Sequence, residues 1–184
     1  MKHTFKFSAG KWLVVGVLLM LMSITSVGNV LAINLTETDK ESLRFMYAEE
    51  KLARDVYHVL FDMWGSRIFN NIAKSEQTHM DALKTLLDRY GIEDPASEIE
   101  GEFNYLELQT LYGELVAQGS VSLVEALNVG VIIEEKDIAD LNDTMTSTLP
   151  KDVNTTYSNL LKGSLNHLKA YTSNLAMQGV ILDQ

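Results

Sequence analysis

Residues 91–120, "GIEDPASEIEGEFNYLELQTLYGELVAQGS", decide the architecture of this chain. Two long segments with helical periodicity precede them, about Thr38–Trp64 and about Phe69–Tyr90. Two more follow, about Ser122–Thr144 and about Val153–Ala176. The first pair is joined by a few residues around Gly65 and Ser66, the second by a short loop around Pro150. Short loops make antiparallel neighbours. The thirty residues between the pairs can traverse the full length of a bundle, and "YLELQTLYGELV" within them reads as a shorter helix. A plain up-and-down bundle needs no such connection. Strand-like alternation is weak throughout, and Pro95 and Pro150, the only prolines, fall between helices.

The expected fold class is therefore all-α: two antiparallel helix hairpins joined by a long crossover containing a short extra helix. This is the ferritin-like arrangement of a four-helix bundle.

The placement of polar residues on the helices carries the chemistry. In the second segment Phe69, Ile72, Ala73, Met80, Leu83, Leu86, Leu87 and Tyr90 fall in one arc of a helical wheel. Glu76 falls near the middle of that arc and His79 inside one edge, whereas Asn70, Lys74, Gln77, Asp81, Asp88 and Arg89 fall outside it. A carboxylate on a buried stripe is costly unless a positive partner meets it. The fourth segment repeats the pattern 88 residues on. Tyr157, Leu160, Leu161, Leu165, Leu168, Tyr171 and Leu175 make its stripe, with His167 at the position of His79 and Ser164 at that of Glu76. In the third segment Glu134 and Asp137 share the inner face with Leu123, Ala126, Leu127, Gly130 and Leu141, while Glu135 points away. The first segment aligns Leu43, Met46, Ala53, Tyr57, Leu60 and Trp64. Phe45, Leu52, Val56 and Val59 widen its arc, so the wheel leaves Glu49 and Glu50 as alternatives. Counted from the hairpin loops, these polar positions lie within about a turn of one level.

Residues 1–32 differ from the rest. "MKHTFKFSAGK" carries three lysines and no acid, "WLVVGVLLMLM" is an apolar run, and Val30 and Ala32 suit a cleavage site. This is the pattern of a secretory signal peptide; an uncleaved anchor over residues 12–32 is the rival reading, and the only membrane contact expected. Residues 33–184 then form one domain outside the cytoplasm. Without Lys2, Lys6 and Lys11 the chain has 12 basic against 25 acidic residues, a net charge of −13. That argues against nucleic acid as a partner and is compatible with cations. With no cysteine, thiolate metal sites, iron–sulfur clusters and thiol nucleophiles are excluded.

"FMYAEEKLARDVY", "NIAKSEQTHM", "VGVIIEEKDIADL" and "GSLNHLKAY" together resemble an uncharacterised prokaryotic ferritin-like domain family, related in architecture to rubrerythrins. The resemblance covers roughly residues 40–175. In rubrerythrin-like first helices the ligand Glu is followed by Ala three later and Tyr seven later, as Glu50 is by Ala53 and Tyr57, which favours Glu50 over Glu49. The resemblance also implies Glu76, His79, Glu134 and His167 as metal ligands. The departure is Ser164, where a second Glu-x-x-His would place a carboxylate. Asp137, one turn from Glu134, is the expected substitute; a thinner site holding one metal or two unequal ones is the alternative. Three Glu, one Asp and two neutral imidazoles bring about −4 to the centre, which two divalent cations neutralise.

Mixed carboxylate and imidazole ligation suits iron, two ions being expected, or manganese, or zinc. The resemblance implies redox chemistry with O2 or peroxide, such as ferrous oxidation. With no cysteine motif for a built-in relay, any electron donor is separate, and with no further helix at the end, no storage shell is expected. A non-enzymatic metal-binding protein and a metal-free helical interaction module are the other readings. An oligomer is compatible with all three. Tyr57 and Tyr171 lie near the site and read as core packing first, ligand partners second; Met46, Met63 and Met80 read as core, and His58 as solvated.

Overall fold

The structure, a computed structural model, describes residues 35–180. The expected export segment lies outside the described residues. Five helices and no strand are present among them: α1 Glu37–Trp64, α2 Arg67–Tyr90, α3 Leu106–Gly119, α4 Leu123–Thr144 and α5 Lys151–Met177. None of these helices is long and apolar enough to cross a membrane.

Local chemistry sets the helix ends. Thr36 and Asp39 form a capping box at the start of α1: the Thr36 hydroxyl accepts from Asp39 N–H, and Asp39 accepts from Thr36 N–H. Gly65 ends α1 in the left-handed region at φ 64°, and Gly91 ends α2 at φ 63°. That conformation is free of Cβ strain only for glycine, and it lets the N–H groups beyond each helix cap its last carbonyls. Ile92 N–H reaches Leu87 O at 2.8 Å, tucking the buried Ile92 under the end of α2. Ser122 caps α4 through Glu125 N–H, and Pro150 immediately precedes α5.

α1 packs on α2 and α4, and α5 packs on α2 and α4; the backbones of the diagonal pairs stay apart, and only side chains meet across the centre. The buried apolar residues fall into two clusters. One takes Tyr57 and Leu60 of α1, Phe69 and Ile72 of α2, Ala126 and Leu127 of α4, and Tyr171 and Leu175 of α5. The other takes Leu43 and Met46, Leu83 and Leu87, Leu141, and Val153 and Leu160. Each of the four helices thus runs from one cluster to the other. Every contacting pair among these four is antiparallel, and the connection from α2 to α4 spans the full length. α3, inside that connection, lies on α1 and α4. Glu50, Glu76 with His79, Glu134, and Ser164 with His167 all fall between the two clusters, forming one polar layer.

Three details differ from the sequence reading. Leu165, expected on the α5 stripe, is 50 % exposed, and Met63, expected in the core, is 47 % exposed; both lie at the edge of an arc drawn too wide for the helices that actually meet. Lys51, by contrast, is fully buried. Its ammonium pairs with Asp55 at 2.5 Å and donates to the carbonyls of Ile99 and Glu102, with the Phe103 ring 4.4 Å away. This buried charge ties the crossover to α1.

Candidate metal centre

The polar layer brings Glu50, Glu76, His79, Glu134 and His167 together, and each is almost fully buried. They form two groups of three whose ligand atoms all lie within 4.8 Å of one another: Glu50, Glu76 and His79, and Glu76, Glu134 and His167. Glu76 belongs to both. Its Oε2 is 2.8 Å from His79 Nδ1, and its Oε1 is 3.0 Å from His167 Nδ1. His79 Nδ1 also hydrogen-bonds Glu50 Oε2 at 3.2 Å, and His167 Nδ1 lies 3.4 Å from Glu134 Oε2. The two imidazoles stack, centroids 5.5 Å apart.

Helix geometry explains the convergence. The three-residue spacing of Glu76 and His79 puts both on one face of α2, and α5, antiparallel to it, returns His167 to the same level. Gly163 makes room on α5, since a Cβ there would lie 2.5 Å from His79 Nε2. The His167 ring is oriented from behind, its Nε2 lying 2.9 Å from Ser75 Oγ. Tyr57 donates to Glu134 Oε1 at 2.7 Å while packing against Tyr171, so it has both of the roles weighed from its position. Nothing in local spacing marked Ser75 or the buried Lys51.

The two α1 candidates differ in their partners. Glu50 faces His79, whereas Glu49 faces α4 and accepts from the Lys136 ammonium. Asp137 stands at the edge of the layer. Its Oδ2 accepts from the Ser164 hydroxyl, and it belongs to neither group of three. Glu135 is exposed. His58, 41 % exposed at its side chain, lies 3.3 Å from Glu100 and near Asp55.

The electrostatics follow from burial in a layer of like charges. Burial opposes ionisation of Glu76, but the His167 and His79 imidazoles outweigh it and hold its carboxyl down at about 2. Glu50 is pushed well above the usual range by burial and by the Asp137 charge. Burial and the Glu76 charge push Glu134 up to about 8. Burial alone would lower the imidazoles; their carboxylate partners instead raise His79 to about 11 and His167 to about 9. Asp137 is raised to about 6, by burial first.

The donor set fits a metal. Glu50 Oε1, Glu76 Oε1, His167 Nδ1 and Asp137 Oδ1 are buried without any hydrogen-bond partner. Glu76 Oε1 and His167 Nδ1 approach to 3.0 Å, an ion pair when the ring is protonated, without the alignment of a hydrogen bond. Buried polar atoms are rarely left this way unless an ion or water satisfies them, and carboxylates with neutral imidazoles are the donors of iron, manganese and zinc sites. Beside the layer lies a cavity of about 40 Å³, enough for a few water-sized molecules. Glu50, Glu76, Glu134 and Asp137 line its polar side, while Leu108, Leu111 and Leu115 of α3 roof it.

Fold and site together define an all-helical protein with a buried carboxylate–imidazole cluster able to hold metal. A family model described as "Uncharacterized protein domain (DUF2202)" matches residues 39–184, and the chain belongs to that family. It is 47 % identical over 146 residues to the uncharacterized protein MJ0754 of Methanocaldococcus jannaschii, a match spanning 79 % of each chain. It also resembles the crystal structure of the hypothetical protein MJ0754 from Methanococcus jannaschii, with a TM-score of 0.79 at 46 % identity, covering 80 % of this chain and 85 % of that one.

Proposed function

We propose that this protein is a ferritin-like four-helix bundle whose polar layer holds two metal ions, iron in the first place, for redox chemistry with O2 or peroxide such as ferrous oxidation. The observation that carries the reading is the position of Glu76, shared between two three-residue groups that contain unpartnered buried donor atoms. The cyclic, antiparallel packing with one full-length crossover supports the bundle assignment.

Glu50 with His79 would hold one ion, Glu134 with His167 the other, and Glu76 would contact both. When bound, a pair of redox-active ions supplies electron transfer to a small oxidant. The chain's own groups do the rest. Ser75 fixes the His167 ring with Nδ1 toward the centre, a second-partner arrangement that orients metal-bound imidazoles generally. Tyr57 anchors Glu134 through the hydrogen bond it donates to Oε1. The α3 leucines exclude bulk water from the small cavity, limiting what reaches the layer to molecules of a few atoms. Asp137, held by Ser164, adds negative charge on the Glu50 side. Electrons come from a separate donor, and export by residues 1–32 places the domain outside the cytoplasm.

Metal analysis tests the centre: protein reconstituted anaerobically with ferrous iron and desalted should retain about two ions per chain. A protein that retains none under these conditions, and whose stability is unchanged by Glu76→Ala and Glu134→Ala, refutes it. Oxygen or peroxide consumption by the loaded protein then separates redox function from sequestration.

A further inference from the structure

The carboxylates of the polar layer do not meet solvent directly: Glu50, Glu76 and Glu134 are each only 2 % exposed, against 8 % for His79 and His167. The cavity beneath α3 shares one acid, Glu49, with a second, open concavity between the first turns of α1, the start of α3 and the end of α4. That outer concavity carries Glu107, Asp140 and Asp143 and is lined by no lysine or arginine. Glu41 also lines it, already paired with Arg44 and Tyr105. Glu49 is 8 % exposed; its Oε1 accepts from Lys136, while its Oε2 is buried with no partner. The Lys136 ammonium joins Glu49 to Asp140. A positive charge on a half-exposed, four-carbon stem therefore sits between one acid of the outer concavity and the acid common to both spaces.

We infer that the outer acidic concavity is the inlet by which divalent cations reach the layer, with Glu49 passing the ion inward and the Lys136 ammonium holding its place until one arrives. The inference rests on the proposed metal centre. A concave surface of one charge sign concentrates counter-ions and speeds their capture. Lysine is a mobile point charge, and its half-exposed head can swing into water as an incoming cation takes its place beside Glu49. The two carboxylates it leaves present oxygen donors to a divalent ion. Glu49 and Glu50 are sequence neighbours on opposite sides of one helix edge, the first lining both spaces and the second bonded to His79. Each has an unpartnered buried oxygen, so an ion leaving Glu49 finds an available donor one residue on. The other partly exposed acid–imidazole group, Asp55, His58 and Glu100, offers no such path, because Lys51 and Arg54 already occupy Asp55.

Uptake of cobalt(II) by the metal-free, full-length protein, followed by stopped-flow absorbance of its d–d bands, tests the route separately from the centre. Glu49→Gln should slow uptake about tenfold while leaving the final cobalt content unchanged. Lys136→Met should speed uptake severalfold. The surface pair Glu107→Gln with Asp143→Asn, which leaves the buried residues intact, should slow uptake and flatten its dependence on ionic strength. Glu135→Gln, an exposed acid away from the inlet, should change neither. Wild-type rates in both Glu49→Gln and the surface pair, with normal final content, overturn the inlet and leave the centre standing. A wild-type protein that takes up no cobalt overturns both.

Discussion

Replacing Glu76 by glutamine should cost the protein both metal ions at once, and should destabilise it even without metal. Glutamine keeps the volume and one acceptor oxygen but cannot offer two anionic oxygens to two ions. Because Glu76 is the member common to both three-residue groups, Glu76→Gln should bind close to no metal. Glu50→Gln and Glu134→Gln should each still bind about one ion, on opposite sides. The metal-free effect follows from the carboxyl's displacement from 4.5 to about 2. At 1.36 kcal/mol per decade, two and a half decades correspond to about 3 kcal/mol. The sign is that of a depressed acid: the contribution is fully present above pH 4.5 and fades as pH falls through about 2, so at neutral pH all of it is at stake. Because an imidazole abandoned by Glu76 can shed its proton, about 3 kcal/mol is an upper figure. For a domain of this size it corresponds to a melting temperature lower by roughly 5–10 °C. Calorimetry of chelator-treated protein and metal analysis of reconstituted protein measure the two effects independently. A Glu76→Gln protein that retains two ions, or one whose metal-free melting temperature matches the parent, refutes the shared-ligand geometry.

Other outcomes follow from the same contacts. Lys51→Met should destabilise the protein by about 1–3 kcal/mol in urea unfolding, because Asp55 keeps Arg54 but the carbonyls of Ile99 and Glu102 lose their donor; a change well below about 1 kcal/mol would mean the crossover does not depend on that ammonium. Gly163→Ala should force the His79 ring aside and weaken metal binding, with a packing cost of about 1–3 kcal/mol; unchanged affinity in a competition titration would contradict the close approach. Metal binding near neutral pH should release more than two and up to about four protons per chain, since His79 and His167, held up at about 11 and about 9, and Glu134 and Glu50, pushed up to about 8 and well above the usual carboxyl range, must all deprotonate to bind a metal; calorimetry in buffers of different ionisation enthalpy counts them. Both imidazoles titrate above their ordinary 6.5 when folded, so their contribution is complete below that pH. The metal-free protein should therefore lose stability as pH rises through about 9, whereas the metal-loaded protein should not.

Much of this architecture is written locally in the chain. Gly65 and Gly91 stop helices where only glycine is unstrained, Thr36 and Asp39 start one, and the 3.6-residue stripes assign four faces. The long connection at 91–120 selects the topology because its length has no use in a simple meander. Glu76 was legible for the same reason: a carboxylate in the middle of an apolar arc contradicts its own surroundings unless something meets it. What stayed hidden depends on which helix lies opposite. Glu49 and Glu50 are equivalent on the wheel of α1 alone; they differ only because α4 brings Lys136 to the first and α2 brings His79 to the second. Lys51 and Asp55 look like an ordinary solvated pair four residues apart until the loop after α2 folds over them. The cavity beneath Leu108, Leu111 and Leu115 depends on how α3 sits across α1 and α4, which no periodicity within α3 specifies.

The composition of the layer also accounts for how it folds without a metal. Four carboxylates, those of Glu50, Glu76, Glu134 and Asp137, meet in a space that admits little water, and four buried negative charges would be prohibitive. The displacements divide the problem. Glu76, touching both imidazoles, is the acid that stays ionised, and His79 and His167 carry the compensating protons. Glu50, Glu134 and Asp137 are all shifted upward, toward the protonated, neutral form. Ser164 contributes to this balance in a way a glutamate could not. Its single hydroxyl proton lies between Asp137 and the carbonyl of Leu160, so it can donate to an ionised Asp137, or donate to Leu160 and accept from a protonated one. A glutamate at that position would add a fifth negative charge instead. The serine thus keeps the layer within reach of neutrality, and, if the layer binds metal as proposed, leaves Asp137 on the Glu50 side for cations that would replace the protons.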